Sequence, residues 1–181
     1  MLNIITFYLN VIIFLFCIKI CYGKEIIIKN EDDLFYKFSN IVINYEGNEE
    51  LILKFPDKKY DMLELDFSLE LPVKTNITFI GTEKTTIFDF GNEIKGSFKI
   101  FKSVEKSYFV KFENIIFQNY SKDSYENKVS IFHLESTYNN MFITFNNCTF
   151  RNNNYEIITI DVLCSKNDVF EPNLIINNCQ F

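Results

Sequence analysis

Four polar residues on two alternating runs are where this chain would do acid/base chemistry. His133 and Glu135 alternate with Phe132 and Leu134, and Thr159 and Asp161 alternate with Ile158, Ile160 and Val162. If both runs are strands, the period of two puts the four on one face. Two carboxylates held side by side push their proton affinities apart, so that one donates a proton while the other accepts it. The contrary reading is a solvated strand face. His133 is the chain's only histidine and Arg151 its only arginine, and neither an Asp-Asp pair nor a basic cluster accompanies them. The sequence therefore assigns no catalytic residue, and His133, Glu135 and Asp161 stand as the candidates.

Other residue types suggest other chemistry. Glu64, Asp66 and Glu70 alternate with Leu63, Leu65, Phe67 and Leu69. Such a row of carboxylates suits calcium, and equally an exposed strand face. Beyond the N-terminal stretch the cysteines are Cys148, Cys164 and Cys179, an odd number. Neither a Cys-x-x-Cys spacing nor a histidine pair marks a metal site, and no cofactor motif is present. The thiols read as small buried hydrophobes. Three sequons occur, at Asn76, Asn119 and Asn147. Asn76 and Asn119 are the expected N-glycan acceptors.

The elements that position these residues repeat. Val110-Lys-Phe112-Glu-Asn114-Ile115-Ile-Phe117 returns as Ile143-Thr-Phe145-Asn-Asn147-Cys148-Thr-Phe150 and as Leu174-Ile-Ile176-Asn-Asn178-Cys179-Gln-Phe181. A weaker copy, Ile77-Thr-Phe79-Ile-Gly81, stands upstream. Phe79, Phe112, Phe145 and Ile176 are separated by 33, 33 and 31 residues. Alternation within each copy predicts strands. Helical repeats of this length need strong helix formers, and the chain has no alanine. Each interval holds a second run, at 97–101, 129–134 and 156–162, so a coil has at least two strands.

Parallel stacking at about 4.8 Å puts equivalent residues over one another. Phe79, Phe112, Phe145 and Ile176 are expected to form one interior column, Phe117, Phe150 and Phe181 a second, and Ile115, Cys148 and Cys179 a third. Asn114, Asn147 and Asn178 fall where the chain must bend, and stacked amides satisfy the polar groups of such a corner. Gly81 takes that place in the first copy. A row of amides contacting a ligand is the functional reading of the same column.

These repeats resemble the right-handed parallel β-helix proteins of the pectin-lyase-like superfamily. Phe150 to Asn153 is similar to the Phe-x-x-Asn repeats of polymorphic outer-membrane adhesins. The resemblance spans 74–181 and implies an all-β, right-handed parallel solenoid. Enzymes of that class cut acidic polysaccharides on the outer face of adjacent coils, so it implies a polysaccharide lyase or hydrolase as the alternative to a non-catalytic adhesion surface.

Residues 1–23 read as a secretory signal, with an apolar run from Ile4 to Ile18 followed by Cys21-Tyr22-Gly23. Its removal takes one lysine and no acid, leaving 17 basic and 24 acidic residues. That balance argues against a nucleic-acid partner, and no integral membrane span is expected in the mature chain. Residues 24–73 form the N-terminal cap and first coils. Leu34, Phe35, Phe38 and Ile41 give a short amphipathic helix after Asn30, suited to covering the open end of the solenoid. Residues 51–55 and 62–71 read as strands, and 74–181 as regular coils. The last repeat carries no cap, so the solenoid is expected to be incomplete at the C-terminus, part of a larger protein or able to associate edge to edge. The expectation is a secreted, extracellular or cell-surface protein contacting a polysaccharide or cell-surface ligand.

Overall fold

The computed structural model describes residues 23–30, 34–64, 68–82, 86–102, 106–121, 129–137, 140–163 and 173–181. Their strands stack as a parallel β-solenoid of about four turns. Every strand pairing is parallel, and three sheets run along the stack.

Sheet A contains β1 (Lys24–Ile27), β2 (Leu51–Phe55), β5 (Ile77–Gly81), β8 (Tyr108–Glu113), β11 (Met141–Asn146) and β14 (Leu174–Asn177). Sheet B contains β3 (Lys59–Asp61), β6 (Thr86–Asp89), β9 (Ile115–Gln118) and β12 (Thr149–Arg151). Sheet C contains β4 (Leu69–Pro72), β7 (Phe98–Lys102), β10 (Phe132–Ser136) and β13 (Ile158–Val162). A coil therefore has three strands. What reads as one repeated strand is a sheet A strand and a sheet B strand joined at an asparagine corner.

The one described helix, α1 (Leu34–Ile43), packs against β4, the edge strand of sheet C. It buries Val42 and half-buries Ile41, which shields the first coil. The stretch 62–71 is not one strand. Met62–Glu64 is a 3-10 turn, and strand resumes at Leu69. Met62 is buried there, so local tertiary packing overrides the alternation.

The registers set the core. Leu53 lies beside Phe79, Phe79 beside Phe112, Phe112 beside Phe145, and Phe145 beside Ile176. The Phe79 and Phe112 rings stack at 4.5 Å, and Phe112 and Phe145 at 5.3 Å. In sheet B, Phe117 stacks on Phe150 at 5.3 Å and Phe150 on Phe181 at 5.0 Å. Sheet C adds a third aromatic column, with Phe98 on Phe132 at 5.2 Å. The rings just named stack nearly parallel, whereas Phe88 meets Phe117 edge to face at 90° within sheet B, and Phe112 meets Phe117 edge to face at 79° across sheets A and B. Both are favourable arrangements of aromatic quadrupoles.

The corners explain the asparagines. All six non-glycine residues with positive φ among those described are Asn: Asn92, Asn114, Asn119, Asn147, Asn152 and Asn178. Asn tolerates the left-handed region better than other side chains because its short amide bonds locally. Asn114, Asn147 and Asn178 turn the chain from sheet A into sheet B, with φ of 59°, 53° and 52°. Asn92, Asn119 and Asn152 turn it out of sheet B, a second column.

Candidate functional site

Stacking turns the corner asparagines into a row of side chains. Asn147 Nδ2 donates to Asn114 Oδ1 at 2.6 Å, and Asn178 Nδ2 donates to Asn147 Oδ1 at 3.3 Å. A flanking row repeats the pattern, from Asn177 to Asn146 at 3.0 Å and from Asn146 to Glu113 at 3.3 Å. Just inside the corner, Cys148 and Cys179 are free thiols. Cys148 Sγ lies 3.5 Å from the carbonyls of both Phe112 and Asn146, and Cys179 Sγ lies 3.5 Å from that of Phe145 and 3.3 Å from that of Asn177. Burial pushes the Cys148 thiol up to about 12.

On the outer face of sheet B, Asp89, Gln118 and Arg151 occupy successive rungs in register. Lys59 Nζ contacts Asp89 Oδ2 at 3.0 Å, and Gln118 Nε2 donates to the same oxygen at 3.0 Å. Arg151 Nε donates to Gln118 Oε1 at 2.7 Å. Asn119 Nδ2 and the Gly91 N–H both donate to Asp89 Oδ1, at 2.8 and 3.0 Å. Burial alone would raise the Asp89 pKa. The donors from Asn119, Gly91, Lys59 and Gln118 outweigh it and hold the carboxyl at about 2. The hydrogen bond and charge of Asp89 raise the Lys59 pKa in turn.

The amide column and the Arg151 row border a groove of about 390 Å³ at the corner between sheets A and B. Asn114, Asn147, Asn178, Thr149, Arg151 and Gln180 line it, and among the described residues no carboxylate does. Farther down the same corner, Gly81 replaces the asparagine and leaves an apolar notch of about 200 Å³ beside Phe55, Pro56 and Ile80. The groove offers amide donors and acceptors, two hydroxyl or amide groups from Thr149 and Gln180, and one exposed guanidinium. That inventory matches ligands rich in hydroxyl groups.

The four residues singled out for acid/base chemistry lie elsewhere, on the outer face of sheet C. His133 is in register with Thr159, and Glu135 with Asp161. Each of the two carboxylates has its own side-chain partner. His133 Nε2 lies 2.9 Å from Asp161 Oδ2, and Lys99 Nζ lies 3.7 Å from Glu135 Oε2. Lys99, one rung below His133, was not legible as a partner because nothing in its own segment marks it. Of the acidic row near the N-terminus, Glu70 is exposed on β4, whereas Asp66 lies outside the described residues, as does Cys164. Among the described residues no cluster of three metal-ligating side chains occurs, and no helix is long and apolar enough to cross a membrane.

The structure separates the two expected glycan acceptors. Asn76 Oδ1 accepts the Phe109 N–H at 3.1 Å. Asn119 is a corner residue, giving Nδ2 to Asp89 and accepting Asn152 Nδ2 at 3.3 Å. Asn153, last of the Phe-x-x-Asn run, accepts the Tyr120 N–H at 2.9 Å and donates to the Phe117 carbonyl at 3.1 Å, tying its rung to the one below.

Sequence reasoning missed Arg151, Gln118 and Asp89 as a set. Their signal was present, since each follows the sheet B phenylalanine of its coil (Phe150, Phe117 and Phe88) by one residue. Comparison with protein-family models, curated proteins and solved structures found no match to this chain. The class that the fold defines is the parallel β-solenoid.

Proposed function

We propose that the chain is a secreted, non-catalytic solenoid whose corner groove contacts carbohydrate at an extracellular or cell surface. One observation carries the reading: in an acidic chain, a groove with no carboxylate among its described lining residues gathers a ladder of amides, two further polar side chains and the only arginine. Amide rows and a planar guanidinium present donors and acceptors at a regular repeat, which suits a polymer of hydroxylated rings lying along the stack. The Phe79–Phe112–Phe145 and Phe117–Phe150 columns are buried and serve packing, so at this corner recognition falls to the polar edges.

The test is titration calorimetry of the purified protein against neutral and acidic oligosaccharides. Arg151→Ala is expected to weaken the best ligand about tenfold, or about 1.4 kcal/mol, while Glu135→Ala on sheet C leaves binding unchanged. Absence of binding across the panel, or equal affinity of the Arg151 variant, would overturn the reading. The alternative, a polysaccharide lyase or hydrolase, draws on the carboxylate-held imidazole of His133. It would be established by chain cleavage that Asp161→Asn abolishes.

A further inference from the structure

We propose that Asn76 carries the N-glycan of the folded protein and that Asn119 and Asn147 do not. All three stand in sequons, Asn76-Ile-Thr78, Asn119-Tyr-Ser121 and Asn147-Cys-Thr149. What distinguishes them is which atom of the amide the fold uses.

N-glycosylation acts on the side-chain nitrogen. Nδ2 attacks the anomeric carbon of an oligosaccharide carried on a lipid pyrophosphate. The new N–C bond forms as the C–O bond to the phosphate breaks, the lipid pyrophosphate leaves, and one Nδ2 proton is released. The product keeps its amide oxygen and one N–H.

At Asn76 the fold uses only the oxygen. Oδ1 accepts the Phe109 N–H of the next rung at 3.1 Å, and among the described residues nothing accepts a hydrogen from Nδ2. A glycosylated Asn76 therefore keeps its structural bond. At Asn119 and Asn147 the fold uses the nitrogen. Asn119 Nδ2 holds Asp89 at 2.8 Å, and Asn147 Nδ2 holds Asn114 at 2.6 Å. Both residues also accept from the rung above, and both have positive φ. A sugar on either nitrogen would place a pyranose within a stack whose rungs are about 4.8 Å apart.

The surroundings of Asn76 fit a sugar. Phe109 and Phe142 are in register on successive rungs, half-buried on the outer face of sheet A. The Phe109 N–H bond to Asn76 puts one of these half-buried aromatic residues next to the acceptor amide, where it would take the apolar face of the first saccharide. Asn76 and Gly81 bracket β5, so about 16 Å of strand separates the glycan from the groove corner. The groove is left open.

Sugar transfer acts on the chain as it enters the secretory pathway, so the fold decides which glycoform persists. The experiment is expression of residues 1–181 in a eukaryotic secretory host. Site occupancy is then mapped by enzymatic deglycosylation in heavy-oxygen water, on secreted protein and on the protease-resistant intracellular pool. Asn76 is expected to be occupied in both, Asn119 and Asn147 unoccupied, and Asn76→Gln to remove the whole glycan mass while leaving the melting temperature of the polypeptide unchanged. A glycan at Asn119 or Asn147 in folded protein, or an unoccupied Asn76, would overturn the proposal.

Discussion

Asp89 takes hydrogens from four groups on neighbouring rungs and its own turn, and this makes stability depend on acid. Its folded pKa of about 2 lies below the ordinary value of 3.8, so the ionised form stabilises the fold. That contribution is complete above about pH 4 and is lost as the pH falls through 2, amounting to roughly 2 kcal/mol. Urea unfolding of the wild type and Asp89→Asn should therefore converge between pH 4 and pH 2, and an unchanged gap across that window would refute the assignment. The sequence reading reached Asn114, Asn147 and Asn178 because they recur inside a conspicuous repeat. It did not reach Asp89, nor the grouping of Asn119 and Arg151 with it, because sheet B strands are three or four residues long. Alternation needs more residues than that to declare itself.

At the level of elements, β5 ends where the next three coils place asparagine, and Gly81 is there for space. Its φ is not left-handed. A Cβ at Gly81 would fall on the Asn114 carbonyl oxygen and 2.8 Å from Thr86 Cβ. Backbone of the next rung cannot retreat without breaking the ladder, so Gly81→Ala should destabilise the protein by about 1–3 kcal/mol. A chemical melt indistinguishable from wild type would show that the corner relaxes. The same corner explains what was legible and what was not. Sheets A and C announced themselves by alternation, and the bend by its asparagine. The division of one repeat into strands of two sheets follows from a backbone reversal of φ, which residue types only hint at. The 3-10 turn at Met62–Glu64 was hidden for the opposite reason, since its apolar residues imitate a strand while Met62 fills the core.

For the whole molecule, the buried sulfur reports on the stack. Cys148 is 1% exposed, and its thiol is pushed up to about 12. At pH 8 in native buffer it should resist iodoacetamide, and it should react at least about a thousandfold faster in denaturing urea, because modification requires opening the coils around it. Half-buried Cys179 should react first; the reverse order, read by peptide mass spectrometry, would contradict the packing described. Lys102 makes a related point about burial. The residue is 3% exposed, and its amine is held by the Asn140 carbonyl at 3.2 Å and the Tyr108 ring, so desolvation lowers its pKa. Each coil hands the next a copy of the surface it received, with Asn114 and Asn147 occupying the same place one turn apart. Length is therefore a modular quantity in this protein. Excising residues 115–147 would join Asn114 to Cys148, lay β14 directly on β8, and leave a shorter stack with every remaining column in phase, so genomes can lengthen or trim such a chain by whole turns without redesigning its interior.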